Sequence, residues 1–136
     1  MAPVIMPELD LASLPGVRYA ALISQEGSIL ESVGDTGGDP LIGSILAHGT
    51  ASAAGDLGMR SLLGTCAELA ISYTAGGIFI LLGTDGSFLL LEHSFEAPLD
   101  AIRVEGKRIL SLPQEKKGAA ADANDSLMDA LNAGGF

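Results

Sequence analysis

The alternation of apolar and polar residues near the start of the chain predicts a β-hairpin. From residue 17 to residue 24 the apolar side chains repeat with a period of two, which is the spacing of one face of a strand. That face is formed by Val17, Tyr19, Ala21 and Ile23. Gly27 can adopt the positive φ that a tight turn needs, and residues 28–33 then return as a second strand.

Three more apolar runs, over residues 65–74, 77–83 and 87–94, predict three further strands. Glycine-containing connections separate these runs, and the second connection contains Asp85-Gly86, one of the strongest short signals for a hairpin. Because short connections join strands that run in opposite directions, the three runs predict an antiparallel meander.

A long helix is predicted between the hairpin and the meander, from Pro40 to about Leu62. Asp39 is placed to cap this helix, and Pro40 occupies the first helical position, where proline is favoured. Large apolar residues form one stripe along the helix together with two small residues, and we expect this stripe to face the sheet. Its members are Ile42, Leu46, Gly49, Ala53 and Leu57.

A second stripe of the same helix contains only small residues, namely Ala47, Ala51, Ala54 and Gly58. It lies about 140° round the helix from the first stripe, since successive residues are offset by about 100°. Small side chains allow two backbones to approach closely. We therefore predict that this stripe packs against another helix, most simply that of a second subunit, with a solvent-exposed face as the alternative.

A second helix is predicted from Pro98 until shortly before Pro113. Its apolar face is formed by Leu99, Ile102, Gly106, Ile109 and Leu110. A short helix is also predicted before Pro15, where Leu9, Leu11 and Leu14 occur. The order α-β-β-α-β-β-β-α then predicts an α+β fold in which a five-stranded antiparallel sheet carries helices on both faces.

The sequence divides into a domain over residues 1–112 and a tail over residues 113–136. Residues 114–125 are polar, charged and rich in Ala, which is typical of a linker. Over about residues 125–133, Leu127, Met128 and Leu131 form a short amphipathic segment. Such a segment is too short to be a stable helix alone, so we predict that it docks on another surface.

Composition and charge narrow the function classes. A chain of 136 residues suits one domain, and its formal charge of -10 argues against nucleic acids and anionic membrane surfaces as partners. The most apolar region, residues 77–91, is interrupted by polar residues 84–87, so no run reaches the roughly 18 residues of a membrane-spanning helix. The single cysteine, Cys66, excludes an internal disulfide, and the first residues lack the pattern of a signal peptide, which predicts a cytoplasmic protein.

The tripeptide Asp35-Thr36-Gly37 matches the catalytic sequence of aspartic proteases. Those enzymes bring two such carboxylates together so that they share a proton, and a β-hairpin flap is needed between the elements of the site. A long helix is predicted there instead, so an aspartic protease is kept only as a remote alternative. His48 and His93 are not accompanied by further residues at metal-ligand spacing, and we predict no metal site, no cofactor and no active site.

Several segments, taken in order, resemble one family. Leu14-Pro15-Gly16-Val17 leads into the first strand, residues 23–27 turn the hairpin, residues 47–55 form a small-residue helix, and residues 101–108 close the domain. From about residue 11 to residue 112 the chain resembles the Roadblock family of dynein-light-chain-like domains. Leu62-Leu63-Gly64 and the acidic tail are similar to bacterial gliding-motility regulators within that family.

The resemblance implies a homodimer in which the central helices pack side by side and the third strands pair edge to edge. The implied interface consists of the small-residue stripe and of third-strand residues Cys66, Glu68, Ala70 and Ser72. The implied function is a cytoplasmic regulator without an active site of its own, which binds a Ras-like small GTPase and stimulates hydrolysis by reshaping its switch regions. A non-catalytic dimeric scaffold is the alternative.

Overall fold

A computed structural model describes residue 11 and residues 14–112 of the chain. These residues form β1 (Val17–Ile23), β2 (Ile29–Gly34), α1 (Pro40–Arg60), β3 (Glu68–Tyr73), β4 (Gly76–Leu82), β5 (Phe88–His93) and α2 (Leu99–Leu110). The strands make one antiparallel sheet in the order β2-β1-β5-β4-β3. The predicted α+β fold is therefore confirmed.

The two helices cover opposite faces of the sheet. Since successive residues of a strand point to opposite faces, each strand contributes side chains to both sides. On one side, Phe79, Leu81 and Leu89 belong to a buried cluster with α2. On the other side, Ile80 and Phe88 belong to a cluster with α1. Both faces of β1, β4 and β5 are thus buried.

Helix α2 packs on the sheet as its periodicity predicts. Its buried residues are Ile102, Gly106, Ile109 and Leu110. A Cβ atom added at Gly106 would lie 3.1 Å from Leu81 Cδ1, so the missing side chain allows the helix to sit close to the sheet. The short helix predicted before Pro15 falls mainly outside the described residues, although Leu11 is buried in the cluster on this side.

The predicted face of β1 is wrong at its first residue. The register between β1 and β5 shifts between Val17 and Tyr19. An irregularity of this kind changes the side to which a strand residue points. Val17 consequently packs in the α2-side cluster, whereas Tyr19, Ala21 and Ile23 pack in the α1-side cluster.

Helix α1 begins and ends close to the predicted residues. The Asp39 carboxylate accepts hydrogen bonds from the backbone N–H groups of Leu41 and Ile42, at 2.9 and 3.3 Å. At the other end, Leu62 adopts a positive φ of 60°. The Leu63 N–H then donates to the Gly58 carbonyl at 2.8 Å, and the Leu62 N–H donates to the Met59 carbonyl at 3.1 Å. These two bonds form a Schellman cap, which satisfies the last carbonyl groups of the helix.

The predicted orientation of α1 is wrong, because its two stripes have exchanged places. The residues buried against the sheet are Ser44, Ala47 and Ala51. The large apolar residues of the other stripe, Ile42, Leu46 and Leu57, are 55, 65 and 67% exposed.

The size of the sheet side chains explains this exchange. Below α1 the sheet presents Tyr19, Ile80, Phe88 and Leu90, which are buried and mostly large. Large side chains on one surface fill the interface best when small ones face them. Helix α1 therefore approaches the sheet through its small residues, and its large apolar residues point away.

Candidate protein-interaction site

The exposed stripe of α1 borders a groove over an uncovered part of the sheet. We call it the apolar groove, and define it by Ile42 and Leu46 of α1, Tyr73 of β3 and Ile78 of β4, all of which line it. Its volume is about 570 Å³. Tyr73 is exposed, and Ile78 is only partly buried at the margin of the α1-side cluster. A concave surface with exposed large apolar side chains is typical of a binding site for another protein.

The floor of the groove continues onto β3. In the register of β3 and β4, Leu69 pairs with Ile80, and Ile71 pairs with Ile78. Paired residues of antiparallel strands lie on the same face, so Leu69 and Ile71 face the α1 side. Both are only partly buried, because α1 lies over β1, β5 and β4 rather than over β3.

Strand β3 is also one edge of the sheet. An edge strand presents N–H and C=O groups that can pair with a further strand. The groove and this edge adjoin each other, so a single partner can contact apolar side chains and the strand backbone together.

The α2 side of β3 is held by an ion pair within the chain. The Arg103 guanidinium donates from Nε and Nη2 to the two Glu68 carboxylate oxygens, at 2.8 and 2.9 Å. These hydrogen bonds lower the pKa of Glu68. The guanidinium carbon also lies 5.6 Å from the centre of the Phe79 ring, within the range of a cation–π contact.

A network around Glu92 closes the other end of the groove. The Glu92 carboxylate accepts hydrogen bonds from Arg18 Nη2 at 2.7 Å, from Thr36 Oγ1, and from the Gly37 N–H at 3.4 Å. These contacts join β1, β5 and the loop before α1, and they fix the position from which α1 begins. The pattern of the sequence does not predict this network. Its one local signal is a carboxylate directly after the apolar run of β5.

The small-residue stripe is partly used within its own subunit. Ala47 and Ala51 are buried there, on the face of α1 that packs on the sheet, and their place in an interface between helices stays a prediction. At Gly58 a Cβ atom would lie 2.6 Å from the Gly64 carbonyl oxygen, so this glycine allows a close contact within the chain. Ala54 is partly buried, and its place in an interface stays a prediction.

The predicted third-strand residues lie elsewhere on the subunit. Glu68, Ala70 and Ser72 face the α2 side of the sheet, opposite to α1, since they pair with Leu81, Phe79 and Gly77. The structure therefore does not bring them together with the small-residue stripe. Cys66 is partly buried, and its thiol donates to the Glu68 carbonyl at 3.5 Å. A role for these four residues in an interface remains a prediction, and Leu127, Met128 and Leu131 lie outside the described residues.

The loop that contains Asp35-Thr36-Gly37 has a structural role. Asp35 is exposed, its N–H donates to the Arg18 carbonyl at 3.1 Å, and Thr36 is bound to Glu92. The next element is the 21-residue helix α1 rather than a β-hairpin flap. This geometry gives the protease alternative no support.

The described residues contain neither a metal-binding cluster nor a membrane-spanning helix. Within residues 14–112 and residue 11, no three His, Cys, Asp or Glu side chains are grouped so that they could hold a metal ion. In the same part of the chain, neither helix has the length and apolar character needed to cross a bilayer.

Comparison with known proteins defines the fold. No protein-family model matches the sequence, and no curated protein matches it significantly. Solved structures do match. A Roadblock/LC7 domain from Streptomyces avermitilis superposes with a TM-score of 0.70 at 18% identity, over 79% of this chain and 92% of that one. The chain has a Roadblock/LC7 fold.

Two MglB structures show the same similarity. An MglB with a tetrameric arrangement has a TM-score of 0.65 at 20% identity, over 82% of this chain and 93% of that one. The gliding protein MglB from Thermus thermophilus has a TM-score of 0.62, with the same identity and coverage. The Roadblock/LC7 fold thus spans nearly the whole length of these relatives, and at least one of them is described as an assembly.

Proposed function

We propose that this protein is a homodimeric regulator of a Ras-like small GTPase, and that it acts by contact with the GTPase rather than through an active site of its own. The observation that carries the proposal is the apolar groove beside the open edge of β3. The Roadblock/LC7 fold and its similarity to MglB support the choice of partner class.

The first step is the dimer. A two-fold axis perpendicular to the sheet would pair β3 with its copy in the antiparallel direction and extend the sheet across the two subunits. This operation keeps both α1 helices on the same side. The exposed residues Ile42 and Leu46 of each subunit would then face the partner across the two grooves, and Leu69 and Ile71 would be covered.

The second step is the contact with the GTPase. Two α1 helices on one side of a continuous sheet would form a broad platform, on which Leu41 and Ile45 remain as apolar anchors. Both are exposed in the single subunit, at 63 and 59%. An apolar centre with a polar rim is the usual composition of a surface that binds another protein.

A single-turnover hydrolysis assay tests the function. The full chain is added to the Ras-like GTPases of the same cell, each loaded with GTP, and the rate of phosphate release is measured. We expect acceleration of at least one of them. Binding without acceleration would instead assign the scaffold role, and absence of binding to every GTPase would contradict the proposal.

A matched pair of variants ties the activity to the groove. Leu46→Ser removes an exposed apolar residue from the groove, and Val104→Ser removes a similarly exposed one from α2 on the other face. We expect Leu46→Ser to weaken both self-association and stimulation, and Val104→Ser to leave both unchanged. Equal effects of the two substitutions would show that the groove has no special role.

A further inference from the structure

We propose that the amphipathic segment containing Leu127, Met128 and Leu131 docks onto an exposed apolar surface at the end of α1. This surface, which we call the α1-end surface, is formed by Leu57, Met59, Leu62 and Leu63. The inference does not depend on the proposed function, because the segment and the surface belong to the same chain.

The α1-end surface is unusually exposed for its composition. Leu62 and Leu63 are 91 and 83% exposed, and Leu57 and Met59 are also exposed. Scattered apolar residues are common on protein surfaces, but four exposed large ones within the seven residues 57–63 indicate a contact with another segment or protein.

The backbone of Leu62 adds a second observation. Its φ of 60° lies in the left-handed region. Among the described residues, Leu62 is the only one other than glycine with a positive φ. This position of a Schellman cap is usually Gly, because a side chain there costs about 1–2 kcal/mol. A strained leucine that points into solvent is explained if another group covers it.

The tail leaves the domain at the same end of the sheet. The Leu110 Cδ2 atom of α2 lies 3.4 Å from the position of a Cβ atom at Gly83, in the turn between β4 and β5. Gly83 and Met59 line one shallow cleft, so the end of α1 is also close to this turn. Residues 113–126 can extend over about 45 Å, which exceeds the radius of gyration of about 13 Å for a 100-residue domain.

The chemistry of the segment fits the surface. Leu127, Met128 and Leu131 lie at i, i+1 and i+4, which places them on one side of a helix. Asp125 precedes them and Asp129 lies between Met128 and Leu131, and the last turn of α1 carries the basic residue Arg60. A tether of this length keeps the segment at a local concentration in the millimolar range, so a weak contact is sufficient.

Hydrogen exchange of the full chain, read by mass spectrometry, tests the proposal. In the wild type we expect the amides of residues 126–132 to exchange at least about tenfold more slowly than in an unstructured peptide. Leu127→Ser with Leu131→Ser should abolish this protection and speed exchange in residues 57–64. Leu62→Ser with Leu63→Ser should abolish the protection of residues 126–132 from the other side of the contact.

Two controls keep the outcome clear. Ala119→Ser with Ala121→Ser changes the linker alone and should leave all protection in place, and circular dichroism verifies that each variant is folded. Unprotected residues 126–132 in the wild type would overturn the proposal. Protection of residues 126–132 that survives Leu62→Ser with Leu63→Ser would also overturn it. A third contrary result would be protection of residues 57–64 that persists in Leu127→Ser with Leu131→Ser and rises with protein concentration, since a second copy of the chain would then cover the surface.

Discussion

Replacing Ala51 by Leu tests which face of α1 packs on the sheet. Ala51 is 7% exposed and lies on the same buried face of α1 as Ala47, which packs in the cluster with Ile80 and Phe88. Leucine adds three carbon atoms to a closed interface, and overpacking of this kind costs about 1–3 kcal/mol. For a domain of about 100 residues each kcal/mol lowers Tm by about 4–8 °C, so we expect a fall between about 4 and 24 °C.

The matched substitution Leu46→Ser affects the opposite face. Leu46 is exposed, so the stability of the single subunit should change by no more than about 0.5 kcal/mol. Thermal unfolding by circular dichroism is measured over a range of protein concentrations, with sedimentation velocity to follow self-association. Because a dimer stabilises its subunits by mass action, the Tm of the wild type should rise with concentration, and this rise should be lost in Leu46→Ser.

The fall in Tm caused by Ala51→Leu should be present at every concentration, including those at which the protein is monomeric. An Ala51→Leu variant that keeps its Tm and loses only self-association would refute the reasoning. That result would return the small-residue stripe to an interface between helices.

Three further predictions concern the stability of the domain. Gly34→Ala should lower the free energy of unfolding in urea by about 2 kcal/mol or more, since Gly34 has a φ of 83° and an added Cβ would meet the Arg18 carbonyl. Gly38→Ala is the control and should be nearly neutral, because no atom lies within 4 Å of the added Cβ. Gly106→Leu should cost about 3 kcal/mol in the same measurement, because the side chain enters the interface between α2 and the sheet. The hydrogen bonds from Arg103 lower the pKa of Glu68 from its ordinary value of 4.5. The stabilising contribution of the Glu68 carboxylate is therefore complete above pH 4.5 and is lost as pH falls through the lowered pKa. Glu68→Gln should accordingly destabilise the domain at about pH 7 and have little effect near about pH 2.

Elements that depend on local chemistry could be predicted from the sequence. Asp39 and Pro40 define the start of α1 through a cap that involves only neighbouring residues. The turn at Asp85-Gly86 and the apolar face of α2 are local in the same sense. The order of these elements was sufficient to predict the sheet and its two layers of helices.

The orientation of α1 could not be predicted in this way, because both of its stripes are free of charge. The choice between them depends on the size of side chains on distant strands, such as Phe88. The Glu92 network has the same difficulty, since Arg18, Thr36 and Glu92 come together only after three separate segments have folded.

Because α1 packs on the sheet through small residues, the stability of the domain and the contact with a partner depend on different faces of this helix. Its inner face holds the domain together with side chains that cannot be enlarged, while its outer face contributes little to the stability of the single subunit. Substitutions at Ile42, Ile45 or Leu46 can therefore alter partner choice with little loss of fold. This makes the outer face of α1 a suitable position for redirecting the protein to a new partner, either by evolution or by design.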